Sequence, residues 1–364
     1  MGGAVTLTDV ANLAGVSQPT ASRVLNGSKR TPAPAVVEAV RRAAEELGYI
    51  PNAQAQALAR ASTGLLGLVV QDIADPYFST IAAGVQQAST QARRHMMIAA
   101  TVRDPTLEVA AVETFIAHRT DLIVIAGSRW TGPEAAGMAK RLESGLLRYR
   151  RNGGRIAVIG QSIPGAHAVI PANRQGSAAL AKALVGNGLR NFVVLGGPKR
   201  LRAAADRVAG FAAGLAKEGI AAPPVVHGDF TRDGGYEASR QAIAEHARPD
   251  VPVCLFAVND VMALGAMAAL REAGRQVPAD VQVAGFDDIP TLRDFSPALT
   301  TVRIPLYEMG VRAVEMALGG SSDDPLTERV PGEVVLREST ENPYRDASAE
   351  PATTTHEQPG GTFS

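Results

Sequence analysis

An N-terminal all-α helix-turn-helix domain followed by an α/β core of two doubly wound lobes is the fold class predicted by this 364-residue sequence. Three observations carry the prediction. Residues 5–26, VTLTDVANLAGVSQPTASRVLN, read as two short helices joined by a tight turn, the second with a polar outer face. From residue 65, apolar runs of strand length alternate with helical segments, and beyond residue 171 the alternation starts again. Strands that are apolar throughout imply parallel sheets covered on both faces. Two such series imply two lobes, with a cleft at the carboxyl ends of their strands.

The first sixty residues justify the small domain. Thr6 and Asp9 have capping-box spacing: a hydroxyl for an orphan N–H, and an acid that reaches back. Val10, Leu13 and Ala14 recur at helical spacing as one apolar stripe. Gly15 stops the helix and permits the turn. Ser17 is a second N-cap, and Pro19 falls in the first turn of the next helix, where its missing N–H costs little. Ala21, Val24 and Leu25 then face inward, which leaves Gln18, Thr20, Ser22 and Arg23 outside. A third helix, from about Ala35 to Leu47, buries Val36, Val37, Val40, Ala44 and Leu47 and ends at Gly48. An ordinary amphipathic helical hairpin is the alternative; the turn glycine, the second cap and the polar outer helix argue against it. Pro51 and the loose linker Ser62–Thr63–Gly64 bracket a separate short segment, Asn52–Ala59.

In the core, LLGLVVQDI is a strand followed by a helix from Tyr77 to Arg94, and HMMIAATV a strand followed by a helix from Leu107 to His118. LIVIAG and RIAVIG are further strands. The second series runs helix Gly176–Val185, strand FVVLGG, helix Ala204–Lys217, strand PPVVHGDF and helix Gly234–Ala247. Strand VCLFAV, helix Asp260–Ala273 and strand VQVAGF complete it. The basic segment SGLLRYRRNGG, residues 144–154, reads as solvated surface, with a partner site as the alternative. The tail 342–364 has too few apolar residues to pack and is expected to be disordered. The domain division is therefore 1–49, a linker over 50–63, a core over 64–341, and the tail.

Composition narrows the function. Net charge is zero, and residues 1–60, with six basic and four acidic side chains, carry only +2. Such a module binds DNA weakly alone and gains from being doubled. Cys254 is the single cysteine, so no intrachain disulfide or cysteine-based metal cluster is expected; it reads as a buried strand residue. The chain shows neither a secretory signal pattern nor a membrane-length apolar stretch, and the expectation is a cytoplasmic protein with no membrane contact. GGP at 196–198 lacks the dinucleotide spacing, and the sequence has no P-loop, nucleophile elbow or metal-ligand histidine spacing. Catalytic residues, cofactor and metal are all expected to be absent. A secreted solute-binding protein could share the two-lobe fold without gene regulation. It would need a signal sequence and would not carry residues 5–60.

The motif LTDVANLAGVSQPTASRVLNG, continued by AAEELGYIPNAQAQALA, resembles the lactose-repressor (LacI/GalR) family of bacterial regulators without a gap. By this resemblance Gln18 and Pro19 read base edges, Pro19 through apolar contact. Arg23 reads a guanine, as suits a bidentate guanidinium. Thr6, Ser17, Thr20, Ser22 and Asn26 hold phosphates and set register. Asn52–Ala59 is the hinge, with Leu58 as the minor-groove wedge between its small neighbours Ala55 and Ala59. Taken alone, Leu58 could be a core leucine.

The resemblance extends through DIADPYF, DRVAGF, FAVNDVMALGA, VPADVQVAGFDDIP and VVLREST. It implies a core similar to periplasmic sugar-binding proteins, with lobe crossings near residues 171, 302 and 326. Lobe 1 then holds about 64–170 and 303–325, and lobe 2 about 171–302 and 326–341. It also implies an effector between the lobes. Asp75 and Phe78 face it, Arg207 pairs with its oxygens, Phe230 stacks on it, and Asn259 with Asp287 forms a polar clamp. Asp260 and Asp288 read as helix caps. One departure stands out: Ala172-Asn173 occupies the place where the family commonly has Asp-Asn. The function implied is a dimeric repressor of a pseudo-palindromic operator in double-stranded DNA, modulated by a small effector of carbohydrate class. No leucine heptads suggest a tetramer, so a two-fold homodimer is the default.

Overall fold

The computed structural model describes residues 5–26, 32–50, 62–247, 251–319 and 324–341. The expectations for Ala55, Leu58 and Ala59 and for the tail 342–364 lie outside the described residues.

Three helices form the small domain: α1 (Leu7–Leu13), α2 (Gln18–Asn26) and α3 (Pro34–Glu46). The capping box forms in full, with the Thr6 N–H donating to Asp9 Oδ2 at 2.9 Å and the Asp9 N–H returning to Thr6 Oγ1 at 3.4 Å. Gly15 takes φ +65° in the turn. Val10, Ala11, Ala21, Val40, Ala43 and Ala44 are the core, with Val24, Leu25, Val36 and Leu47 packed around it. Two expected core residues differ. Leu13 is 48% exposed, because at about 100° per residue Val10, Ala11 and Ala14 take the inner face and leave Leu13 at its edge. Val37 likewise sits beside α3's inner face, outside the packed cluster.

Lobe 1 is a six-stranded parallel sheet. Its elements are β1 (Leu65–Val70), β2 (His95–Ala100), β3 (Leu122–Ala126), β4 (Arg155–Ile159), β5 (His167–Pro171) and β11 (Thr327–Val330), in the order β11-β5-β4-β3-β1-β2. Alternate residues of these strands supply the two faces. Leu66, Leu68 and Val124 pack with α4 (Pro76–Gln91) and α11 (Leu306–Gly319). Val69, Ile123 and Val158 pack with α5 (Pro105–Ala117) and α6 (Pro133–Arg151). Both faces are covered, which is why these strands read as continuous apolar runs. The basic stretch 144–151 is the last part of α6. Leu146 and Tyr149 are buried there, while Arg148 and Arg151 face solvent.

Lobe 2 is a four-stranded parallel sheet, β7 (Val225–His227), β6 (Phe192–Gly196), β8 (Val253–Ala257) and β9 (Val281–Ala284), in that spatial order. Its helices are α7 (Asn173–Gly186), α8 (Arg202–Lys217), α9 (Arg232–His246) and α10 (Asp260–Glu272). Cys254 is buried on β8. Helices α7 and α8 pack backbone to backbone: a Cβ on Gly210 would lie 2.4 Å from the Arg174 carbonyl oxygen.

The lobes are joined at three places. The first is at Pro171–Ala172, between β5 and α7. The second follows β10 (Thr301–Arg303), which pairs antiparallel with β12 (Glu333–Val335). The third, expected near residue 326, falls later, because β11 pairs with β5 in lobe 1 and the chain leaves only after Val330. The strand TERV is a polar edge strand with alternating exposure. It lacks the apolar run that marked the others. No helix among the described residues is long and apolar enough to cross a membrane.

Candidate functional site

Between the lobes, at the carboxyl ends of the lobe 1 strands, lies a cavity of about 430 Å³. Gly127 and Gly160 follow β3 and β4 with φ of +137° and +114° and are themselves part of the cavity wall. Lobe 1 contributes Tyr77, Ser128, Gln161 and Arg329; lobe 2 contributes Asn173, Arg174, Arg202 and Arg207. On one side the lobes touch directly. The Thr131 N–H donates to the Arg200 carbonyl at 2.8 Å and the Arg202 N–H to the Arg129 carbonyl at 3.1 Å, a short antiparallel bridge of Trp130 with Leu201. Ser128 Oγ accepts from the Ala203 N–H at 2.9 Å, so one end of α8 is held by lobe 1.

Arg207 anchors the cavity floor. It is 2% exposed, and its guanidinium donates to Asp287 Oδ1 at 2.7 Å, Asp287 Oδ2 at 3.1 Å, Asn173 Oδ1 at 2.9 Å and the Val258 carbonyl at 2.7 Å. Its other face lies 4.0 Å above the Phe286 ring centroid. Asp287 is 3% exposed; burial pushes its carboxyl up to about 7, with Arg207 pulling the other way. Asp287 and Asp288 have φ of +122° and +57°. Such backbone costs on the order of 1–3 kcal/mol per residue and persists only where the surroundings fix it. Here the Asp287 N–H and carbonyl bond to Val302 and Ile304 at 2.8 and 3.2 Å, which ties this turn to a lobe crossing. Burial also drives the Tyr77 phenol well above its ordinary range, reinforced by Asp287.

Of the six effector positions expected from the sequence, Arg207 lines this cavity and Asp287 stands behind it. The other four are placed differently. Phe78 is 4% exposed and packs into the lobe 1 core, edge-on to Tyr77, and it is Tyr77 that reaches the cavity wall. Asp75 caps α4, accepting from the Tyr77 N–H at 3.0 Å, with Arg103 at 3.8 Å; burial raises its pKa. Phe230 lies against the Arg103 guanidinium at 5.7 Å, away from the cavity lining. Asn259 is 2% exposed and caps α10 through the Met262 N–H at 3.0 Å. The two acids expected to be helix caps are not caps. Asp260 accepts from the Thr301 hydroxyl at 2.7 Å and the Ile289 N–H at 3.0 Å, and burial pushes it up to about 6. Asp288 pairs with Arg303 and Arg337, each at 2.7 Å.

The second candidate surface is the outer face of α2. Gln18, Pro19 and Arg23 are exposed there, as are Thr6 and Ser17 beside it; Thr20, Ser22 and Asn26 are half-buried. Thr20 and Ser17 hydroxyls share a 2.9 Å hydrogen bond, and Asn26 Nδ2 donates to Ser22 Oγ at 3.0 Å. Arg23 has no ion-pair partner among the described residues. Ser62–Thr63–Gly64, expected from its composition to be a loose linker, is tied down. Ser62 Oγ, the Thr63 N–H and the Gly64 N–H all donate to the Asp121 carboxylate, at 2.7, 3.0 and 3.0 Å. Against the upward push of burial, these bonds and Arg94 hold Asp121 below the usual carboxylate range. Asp121, Tyr77, Trp130 and the arginines other than Arg207 were missed from the sequence. Asp121 directly precedes β3, and Tyr77, Arg174 and Arg202 stand in the first turns of α4, α7 and α8, the one local signal they carry; Trp130 and Arg329 carry none.

Residues 6–52 match the family described as bacterial regulatory proteins, lacI family, and residues 181–340 match the periplasmic binding protein-like domain. The chain is 32% identical over 350 residues to the HTH-type transcriptional regulator GalR of Escherichia coli (strain K12), across 94% of this chain and 98% of that protein. Its fold superposes on the lac repressor dimer bound to operator and the anti-inducer ONPF with a TM-score of 0.78. That pair is 27% identical over 93% of this chain and 100% of the other. The transcriptional regulator CelR–cellobiose complex gives a TM-score of 0.65 at 28% identity, covering 92% and 99% of the two chains.

Proposed function

Because the chain belongs to the lacI family of bacterial regulatory proteins, we propose that it is a homodimeric repressor whose grip on an operator is set by a small molecule between its lobes. It is a DNA-binding transcriptional regulator and not an enzyme. The observation that carries the finer reading is α2. Its inner face is buried through Ala21, while Gln18, Pro19 and Arg23, which has no ion-pair partner among the described residues, project outward. A helix so presented fits a major groove. Gln18, Pro19 and Arg23 then meet base edges, and Thr6, Ser17, Thr20, Ser22 and Asn26 lie near phosphates. Leu58, flanked by Ala55 and Ala59, would wedge the minor groove at the dyad. The protein works in the cytoplasm, where its DNA is.

The dimer is supported by apolar exposure at the β2 edge of lobe 1: Ile73, Ile98, Val102 and Leu107 are exposed, Val102 at 75%. Asp121 supports a coupling route, because it holds the end of the linker to the same lobe that lines the cavity. Sugar-bound relatives, among them the CelR–cellobiose complex, support a carbohydrate effector. Its occupancy would change the angle between the lobes and so the spacing of the two hinges. Regulation then follows only if the effector prefers one lobe arrangement over the other.

Arg23→Ala is the test. The side chain is exposed, so the fold should be untouched, and operator affinity should fall by about 1–3 kcal/mol with relaxed preference at one base pair. Affinity lost equally on every duplex would make Arg23 a phosphate contact and contradict its reading role.

A further inference from the structure

Resting on the reading of the interlobe cavity as the effector site, we propose that the effector is an anionic carbohydrate, a sugar phosphate or a sugar acid, and not a neutral sugar. Four arginines and a single carboxylate, Asp206, line the cavity. Arg207 is matched by Asp287. Arg174 and Arg202 share Asp206, at 2.8 and 3.4 Å. Arg329, on the lobe 1 edge strand β11, has no acid partner among the described residues. Two guanidinium charges are therefore uncompensated around one open cavity, and they come from both lobes.

A second observation points the same way. Helix α7 begins at the cavity wall with Ala172 at its N-cap, and no side chain caps it. The N–H groups of Asn173, Arg174 and Gln175 have no acceptor among the described residues. A cap carboxylate at position 172 would have satisfied one of them and cancelled one charge. Alanine does neither, so free donors and the helix dipole add to the positive field.

Neutral sugar hydroxyls are commonly held by carboxylates, which accept two hydrogen bonds, yet the one carboxylate here is already committed to two arginines. Closing the lobes over a neutral ligand would strip water from Arg329 and the Arg174–Arg202 pair without replacing it. A phosphate or carboxylate replaces it with charge-assisted bonds suited to the guanidinium fork. Ser128, Gln161 and Gln175 remain for the body of the sugar. Phosphate ester and uronate share this chemistry, and the test separates them.

The full-length protein would be titrated, at constant ionic strength, with inorganic phosphate as the charge probe and with matched sets. Glucose, glucose 6-phosphate and glucuronate form one set; ribose and ribose 5-phosphate form another. Thermal shift and calorimetry would report binding, and operator affinity would be measured in parallel. The expected result is millimolar phosphate binding in the wild type, and at least about tenfold tighter binding of one anionic member than of its neutral parent. Both should be lost in Arg174→Gln/Arg329→Gln, whose exposed side chains are not needed for folding. Whether the ester or the uronate binds names the source of the charge. Equal or better binding of the neutral parent, or a phosphate response that is absent or unchanged in the double variant, would overturn the proposal. Anion binding with no change in operator affinity would keep the anion site but overturn its effector role. A neutral sugar that alters operator affinity while its anionic counterpart does not would overturn the anionic effector and leave standing the reading of the cavity as an effector site.

Discussion

Arg207→Ala is expected to lower the unfolding free energy by about 3–5 kcal/mol, the usual cost of removing one partner of a buried ion pair. The size follows from what is left behind. Asp287 keeps its burial but loses both guanidinium bonds, and the Asn173 carboxamide and Val258 carbonyl lose a donor each. The pH dependence has a definite sign. Burial already lifts the Asp287 carboxyl to about 7 against the pull of Arg207, and removing that pull lifts it further. The folded variant then holds its proton to higher pH than the unfolded chain, so its stability is greatest at acidic pH and falls as pH rises. Urea unfolding at pH 5.5 and 8, set about a unit or more either side of that value, would show the deficit widening at the higher pH. Asp287→Ala added to Arg207→Ala should recover part of the loss. A deficit under about 1 kcal/mol, or strict additivity, would mean that the pair is not a coupled buried unit.

Gly210→Ala is the second large effect. Its Cβ would stand 2.4 Å from the Arg174 carbonyl oxygen and 2.7 Å from the Arg174 Cα, both main-chain atoms of α7. No rotamer change relieves a clash with backbone, so α7 and α8 must separate. The expected cost is about 1–3 kcal/mol, as for overpacked cores. The consequence is also functional, because these two helices carry Arg174, Arg202, Asp206 and Arg207. Anion binding in the cavity should therefore weaken together with stability, which a thermal melt and a phosphate titration would report. Unchanged melting with unchanged binding would show that the two helices do not need this approach.

How far the sequence could be read depended on the range of the interaction. The helix-turn-helix was legible because its signals are local: Thr6 with Asp9, Gly15 in the turn, Ser17 before α2. The lobes were legible because strands covered on both faces are apolar throughout. The strand β11 was not, since an edge strand such as TERV has no apolar run, and the third crossing was placed too early in consequence. At the cavity, Arg207 and Asp287 stand together as expected of two cleft residues, but Arg207 spends its guanidinium on Asp287, a pairing that nothing in their spacing announces. Phe78 is buried and its neighbour Tyr77 lines the cavity, because adjacent helix residues point about 100° apart and only packing decides which turns inward. Asn259 could cap α10 or face a ligand, and the choice rests on one N–H···O bond that no spacing encodes. Ser62–Gly64 looked loose by composition, yet its acceptors come from Asp121, 58 residues from Thr63. Arg174, Arg202 and Arg329 meet only through the two-lobe topology, so the charge of the cavity was invisible in the chain.

The most direct measurement is a selection of duplexes from a random pool by the full-length protein, followed by affinity for the selected duplex with and without a ligand that binds the core. The account predicts a pseudo-palindrome with two half-sites, bound at least about 10³-fold more tightly than a scrambled duplex. It also predicts an affinity that shifts when the ligand occupies the cavity. Retention of duplexes without sequence preference, or an affinity indifferent to every ligand the core binds, would contradict it.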